Sequence, residues 1–408
     1  MTATPTLPAV AREPLTRRRR LSHPAAFAGI AAILVAFTAA SSAPSPLYVV
    51  YQQLWGFSAV TLTVVFAVYV VGLIGALLVL GALSDHVGRR PVLAAAIALE
   101  TVALVLFLTA GDVGVLLAAR FLQGIATGAA LTTLGAALVD LNPPHAPGRA
   151  GLINSIVPLA GLALGSLGTG ALVQFAPGPT HLVFALLLAG MVLAAGVVLL
   201  MPETATRRPG GAASLVPRLG VPARLRADVL ALVPVIVASW ALGGLYLSLG
   251  PSVAVGVFGL GNHLIGGLVV TLLCGTGALT AFALRGHPTP RVLTLAGGLL
   301  TLGTAVALAG VQSDAVTLAG VGTVLAGVGF GASALASFGT LARLADPHER
   351  GELLAVALTV AYVAFSLPAV VAGLAATSFG LHATALVYGA VVVLLGGTAL
   401  VAQRVRPA

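Results

Sequence analysis

Two ionisable residues stand inside apolar runs of this sequence: Glu100, within Ala96-Ile97-Ala98-Leu99-Glu100, and Arg120, within Ala118-Ala119-Arg120-Phe121-Leu122. A charge held inside a membrane span costs ~2.5–3.5 kcal/mol on insertion scales, so residues of this kind are carried for a purpose. A carboxyl buried in such a place either pairs with a cation or holds a proton. If the two runs are antiparallel neighbours, Glu100 and Arg120 sit at similar depth and form a candidate protonation-sensitive pair. A purely structural pair and a neutral acid are the alternatives for Glu100. For Arg120 the alternative is snorkelling to an interface about two helical turns away.

A second group of charges occupies a turn between two apolar runs, Gly81-Ala82-Leu83-Ser84-Asp85-His86-Val87-Gly88-Arg89-Arg90-Pro91-Val92-Leu93. Gly81 and Gly88 allow close backbone approach there, and Asp85 is placed to face a helix N-terminus. Asp140 ends another apolar run, where a carboxylate meets the negative end of the helix dipole and needs a cation. Arg89 is the candidate partner, and solvation by water is the alternative for an exposed pair.

Other chemistries are excluded by what the chain lacks. Its 408 residues are 59% hydrophobic and 8% charged, against about 25% charged in soluble domains. The composition is that of a membrane protein with no separate catalytic domain. Every basic residue is arginine, so a Walker A lysine and a Schiff-base lysine are both ruled out. Gly327-Val328-Gly329-Phe330-Gly331 resembles a nucleotide loop, but no strand precedes it. Uphill work must then draw on an ion gradient, and no other cofactor is expected. Cys274 is the one cysteine and reads as a small core residue. The eight histidines show no metal-ligand spacing, and no nucleophile stands beside a base, so neither a metal site nor an enzyme is expected. The net charge of +9 is scattered between apolar runs instead of forming one face, which argues against nucleic acid.

Twelve apolar segments position these residues, running over 25–47, 59–83, 91–110, 113–139, 152–173, 181–201, 229–254, 263–284, 292–310, 315–341, 353–376 and 381–402. Each is long enough for a helix across a bilayer. Alternate loops carry nearly all the arginines, and the others hold only Asp112 and Asp314. By the positive-inside rule the arginine-bearing loops and both termini are cytoplasmic. Arg17 to Arg20 followed by Ala25 to Phe37 mimics a signal peptide, yet a retained first helix is expected, because losing it would break an internal symmetry. The organisation predicted is a tail over 1–24, a six-helix half over 25–203, a linker over 204–228, a second half over 229–402 and a tail over 403–408. A shift of 203 residues sets Gly124 on Gly327, Gly128 on Gly331, Pro144 on Pro347 and His145 on His348. A shift of 200 sets Val92-Leu93 on Val292-Leu293, and Ala43-Pro44-Ser45 echoes Gly250-Pro251-Ser252. Such a duplication places a binding site where the halves meet.

The charged turn resembles the loop signature of the major facilitator superfamily, Gly-x-Leu-x-Asp-x-x-Gly-Arg-Arg/Lys-x-x-Leu, and the likeness extends over residues 25–402. Arg120-Phe121-Leu122-Gln123-Gly124-Ile125-Ala126 is similar to a second pattern of that family, Arg-x-x-Gln-Gly-x-Gly, with Ala126 replacing a glycine. Gly161-Leu162-Ala163-Leu164-Gly165-Ser166 resembles the antiporter signature of its drug-exporting branch, with Ser166 in place of proline. Met201-Pro202-Glu203-Thr204 also resembles family members. The resemblance implies an all-α membrane protein of twelve transmembrane helices in two pseudo-symmetric six-helix halves. It makes Gly81, Asp85, Gly88, Arg89, Arg90 and Asp140 a gate, with Asp85 facing the start of helix 11 near Glu349-Arg350-Gly351. Arg120 then serves proton coupling or substrate contact, with Glu100 its candidate partner. Around the implied cavity stand Phe37, Thr38, Ser41, Gln123, Asn154, Trp240, Tyr246, Phe330 and Tyr362. The expected activity is proton-coupled export of a small neutral or amphipathic organic compound across the inner, plasma membrane by a monomer in the lipid bilayer. An uptake symporter or uniporter, and a sensor that only binds, are the competing readings.

Overall fold

The computed structural model describes residues 20–146, 148–206, 209–217, 219–346 and 349–404. Arg12, Arg17 to Arg19, Arg207, Arg208, Arg218, Arg406 and the repeat partners Pro347 and His348 lie outside the described residues. The described chain is helical: α1 (His23–Ser42), α2 (Pro44–Trp55), α3 (Ala59–Leu80), α4 (Leu83–Val87), α5 (Arg89–Leu108), α6 (Val113–Asp140), α7 (Arg149–Phe175) and α8 (Pro179–Leu200) form the first half. The second half is α9 (Arg226–Ser248), α10 (Gly250–Gly256), α11 (His263–Ala283), α12 (Thr289–Gln312), α13 (Val316–Leu344), α14 (Arg350–Phe379) and α15 (Leu381–Arg404).

Twelve helical stretches among the described residues are long and apolar enough to cross a bilayer, matching the twelve apolar segments in order. The first is longer than its apolar run, because α1 continues through a break at Pro44 into α2 and ends at Trp55. Proline lacks the amide that would continue the ladder, and Pro44 and Pro46 flank Ser45 here. The seventh span repeats the device at Pro251, between α9 and α10. Side chains also set the starts of spans on the arginine-poor end. Ser58 caps α3, Asp112 caps α6 through the Val115 amide at 3.0 Å, and Asn262 caps α11. Each supplies an oxygen to an amide that the helix itself leaves unpaired.

Small residues decide which helices touch. A side chain at Gly124 or Gly128 would meet the backbone of α3 at Tyr69 and Leu73. In the second half, Gly327 and Gly331 press on α11 at Leu273 and Gly277 in the same way. The residues aligned by the 203-residue shift therefore make the corresponding contact in each half, span four on span two. Close backbone approach replaces the hydrophobic driving force that lipid cannot supply between helices. The first helix is part of this packing: Phe27, Ile30, Leu34 and Phe37 are buried, and Ser42 Oγ donates to Leu162 O of α7 at 2.8 Å.

The halves meet along two pairs of helices, α3 with α14 and α7 with α11. Near the arginine-poor end they touch closely, Gly373 against Thr63 and Gly267 against Ser166 and Gly170. Toward the arginine-rich end they separate around a cavity.

Candidate functional site

The cavity has a volume of about 1010 Å³ and draws its lining from both halves. Its lining runs from Arg120, Ser41 and Tyr69 within the spans to Asp85 and His86 of α4 and Glu352 in the first turn of α14. The mouth therefore opens on the arginine-rich end, while the opposite end is closed by the glycine crossings described above.

Its inner end is built on Arg120, which is 1% exposed. Nη1 donates to Gln123 Oε1 at 2.6 Å and to Ser41 O of α1 at 3.1 Å. The guanidinium carbon lies 4.2 Å from the centre of the Tyr69 ring, a cation–π contact away from water. Tyr69 Oη donates to Ser41 Oγ at 3.0 Å, and Ser41 Oγ lies 3.5 Å from Thr127 Oγ1. Just before the break at Pro44, the carbonyl of Ser41 is thus turned toward a cation and that of Ala40 toward the Gln123 amide, as backbone lining a cavity does in transporters.

Glu100 is fully buried on α5, behind this layer, and it does not touch Arg120. Gln123 stands between them: its Nε2 donates to Glu100 Oε1 at 3.0 Å and to Ala40 O at 3.1 Å, while its Oε1 accepts from Arg120. Both amide hydrogens and the amide oxygen are used, so Gln123 is held in one orientation. The candidate pair of Glu100 and Arg120 is thus not in direct contact but joined through Gln123 in a three-residue chain. The reason is the helix period, since Gln123 is one turn on from Arg120 and faces the same neighbour.

The second half supplies an aromatic wall. The Trp240 ring packs edge-on against Tyr362 at 4.8 Å, Phe365 at 5.8 Å and Phe338 at 6.3 Å between centroids. Phe66 of α3 meets Phe365 at 5.0 Å across the boundary between halves. Edge-to-face rings of this kind make a stiff apolar surface.

The cavity brings together Thr38, Ser41, Asn154, Trp240, Phe330 and Tyr362 of the residues expected around it, together with Arg120. Three expected lining residues lie elsewhere. Phe37 is fully buried in the packing of α1, because it lies a third of a turn from Thr38 and faces away from the cavity. Gln123 is buried between Glu100 and Arg120, and Tyr246 turns to Thr323 Oγ1, 2.7 Å from its hydroxyl. The sequence reading missed Phe66, Tyr69, Phe338 and Phe365; a helical spacing of three from Tyr69 to Phe66 and from Phe365 to Tyr362 was the available signal.

The charged turn forms a compact cluster at the arginine-rich end. Arg89 Nε bonds Asp140 Oδ2 at 3.1 Å, and its Nη1 reaches Asp85 Oδ1 at 2.5 Å and Ser84 Oγ at 2.6 Å. The expected partner of Asp140 is therefore in place. Gly88 has φ +113°, a region open to glycine, and a side chain there would meet Glu203 Oε2 at 2.7 Å. Glu203 accepts from the amides of Arg89 at 2.8 Å and Arg90 at 3.1 Å, capping α5. Arg90 ties the same turn to α8 through the carbonyls of Val198 and Leu199. Asp85 shares the cavity mouth with Gly351 and Glu352. The linker lies there too: His86 Nδ1 is 3.1 Å from Pro209 O, and Pro209, Gly210, Ser214 and Val216 line the opening. Arg224, further along the linker, pairs with Asp346 at 2.5 Å and also with Glu349.

Residues 28–367 match the profile of the Major Facilitator Superfamily. The chain belongs to that superfamily. Among solved structures, a bacterial homologue of the human lysosomal transporter Spinster, in an inward-facing and unoccupied conformation, superposes with TM-score 0.72 at 14% identity, covering 94% of this chain and 97% of that one. The human organic anion transporter MFSD10 (TETRAN) superposes with TM-score 0.63 at 21% identity, covering 95% and 100%. These likenesses are of fold. An MFS-type transporter of Penicillium rubens, paaT, is 34% identical over 109 residues, which span 27% of this chain and 20% of that protein. The superfamily chain described here is thus a multi-pass membrane protein of transporter fold, and the charged turn, the Arg120 layer and the cavity occupy one connected region of it.

Proposed function

We propose that the chain is a secondary active exporter, which moves a small neutral or amphipathic organic compound out of the cytoplasm in exchange for protons. The observation that carries this reading is the cavity itself: it is shared by both halves, open at one end and closed at the other. Rocking of the halves would close the mouth near Asp85 and open the glycine crossings at the far end, which is alternating access about a central site. The arginine-rich end is assigned to the cytoplasm by the positive-inside rule, so the conformation is inward-facing and both termini are cytoplasmic. In this scheme the Arg89 cluster holds the hinge of the inner gate, and the working unit is a monomer.

Proton coupling is assigned to Glu100, Gln123 and Arg120. Glu100 has no exit to water except through its neighbours, and Gln123 carries a change in its charge to the residue that faces the cavity. Export is favoured by the span-five motif, whose Gly161 and Gly165 press on α1 at Thr38 and Ala39, beside Ser41.

The test is directional flux in liposomes with an imposed pH gradient, screened over a compound panel. Uptake into vesicles acidified inside, abolished by collapsing the gradient, is expected for inside-out protein. Flux indifferent to the gradient removes proton coupling, and binding without flux favours a sensor. Glu100→Gln is expected to leave downhill movement while losing response to the gradient; an unchanged response in both Glu100→Gln and Arg120→Ala would sink the assignment.

A further inference from the structure

The cavity carries a cation whose bonding is incomplete. Every hydrogen bond that Arg120 makes to the described residues runs through Nη1, to Gln123 Oε1 and Ser41 O. Nε is buried and enclosed without a partner among the described residues, and no hydrogen bond with a described residue engages Nη2, although Arg120 lines the cavity. Among the described residues no carboxylate lies in ion-pair contact with this guanidinium, since Gln123 occupies the place between it and Glu100. Nη2 is the nitrogen left over, and it can donate a charge-assisted bond to one oxygen of a carboxylate or sulfonate. A guanidinium anchored through Nη1 is preorganised, so little side-chain freedom is lost on binding.

The rest of the lining restricts what can bring such a group. Opposite Arg120 the wall is Trp240, Phe330, Phe338, Tyr362 and Phe365, with no cation among them. One charge and a broad apolar face fit an amphipathic monoanion, not a polyanion and not a cation. The two acids at the mouth do not oppose this, for Asp85 is paired with Arg89 and Glu352 lies in the first turn of α14, at the open end.

Resting on the transport reading above, we infer that Nη2 of Arg120 seats the carboxylate or sulfonate of an amphipathic organic monoanion, whose apolar body lies on the Trp240 wall. Arg120 is then a specificity-determining residue and not solely a link in proton coupling.

The experiment uses the full chain in lipid nanodiscs with Trp55→Phe, which leaves Trp240 as the one tryptophan. Saturable change in Trp240 emission is measured with three probes of one shape: 4-tert-butylphenylacetate, its primary amide, and 4-tert-butylbenzyltrimethylammonium. The carboxylate is expected to bind at least about tenfold more tightly than the other two, the size of one charge-assisted bond gained. In Arg120→Gln that preference is expected to shrink below about threefold, with amide binding retained. Equal affinities for the three probes, preference for the cation, or absence of saturable binding by all of them would overturn the inference. The probe series in the Trp55→Phe protein decides this even if the Arg120 variant fails to fold. Flux of the carboxylate probe in liposomes is read separately. Preferred binding without flux would refute the transport reading alone, and flux without preference would refute this inference alone.

Discussion

The two halves share a skeleton and divide the chemistry. Gly124 and Gly128 in the first half and Gly327 and Gly331 in the second make the same close helix contacts. Yet the position of Arg120 is taken by Thr323, which reaches the seventh span through Tyr246, where Arg120 reaches the first span through Ser41 O. Both link span one to span four of their half, one by a buried charge and the other by neutral hydroxyls. At the arginine-rich end the contrast repeats. Asp140 answers to Arg89, whereas its counterpart Arg343 bonds the neutral Thr289 Oγ1 at 2.7 Å and already suits the negative end of a helix. Packing tolerates no change at a glycine crossing, because backbone meets backbone there. A polar link is free to diverge as long as its groups are satisfied, so the buried charges Glu100 and Arg120 stand in one half and most of the aromatic wall in the other.

Breaking this asymmetry where it is sharpest should have the largest effect. Arg120→Ala strips the donor from Gln123 Oε1 and Ser41 O and is expected to cut gradient-driven flux roughly 100-fold, while Thr323→Ala changes it less than about twofold. Comparable losses in the two variants would mean that the buried charge carries no special role. The shared skeleton predicts the opposite pattern. Gly124→Ala and Gly331→Ala should each lower stability by about 1–3 kcal/mol through overpacking, read as thermal unfolding in detergent. A large effect in one half only would show that the repeat is not used equally. For the gate, Arg89→Ala is expected to slow transport about tenfold, against less than about twofold for Arg343→Ala. The smallest effect is at Glu203→Gln, which weakens the cap of α5 by about 1 kcal/mol and should leave the affinity of any cavity ligand unchanged. A shift in that affinity would tie the cap to the binding site.

Much of this was legible in the sequence because membrane folding is local in its first step. A run of apolar residues must form a helix to satisfy its own backbone, so the twelve spans, their order and the 203-residue repeat could be read without coordinates. The Arg89–Asp140 contact was legible for a similar reason, since a carboxylate at a helix C-terminus asks for a cation and the charged turn offered one. Met201-Pro202-Glu203-Thr204 stands out as a motif, but that Glu203 caps α5 depends on α8 ending beside Gly88.

The sequence by itself determined the number of helices, the six-plus-six plan, the family signature and the presence of two charges that had to be accommodated inside the spans. Only the tertiary structure decided how each charge is accommodated and which residues face the cavity. Depth along a helix follows from counting residues, whereas azimuth depends on which neighbours pack against it. That is why Gln123 came to stand between Glu100 and Arg120, why Phe37 and Tyr246 turned away from the cavity, and why four unremarked aromatic residues joined its wall.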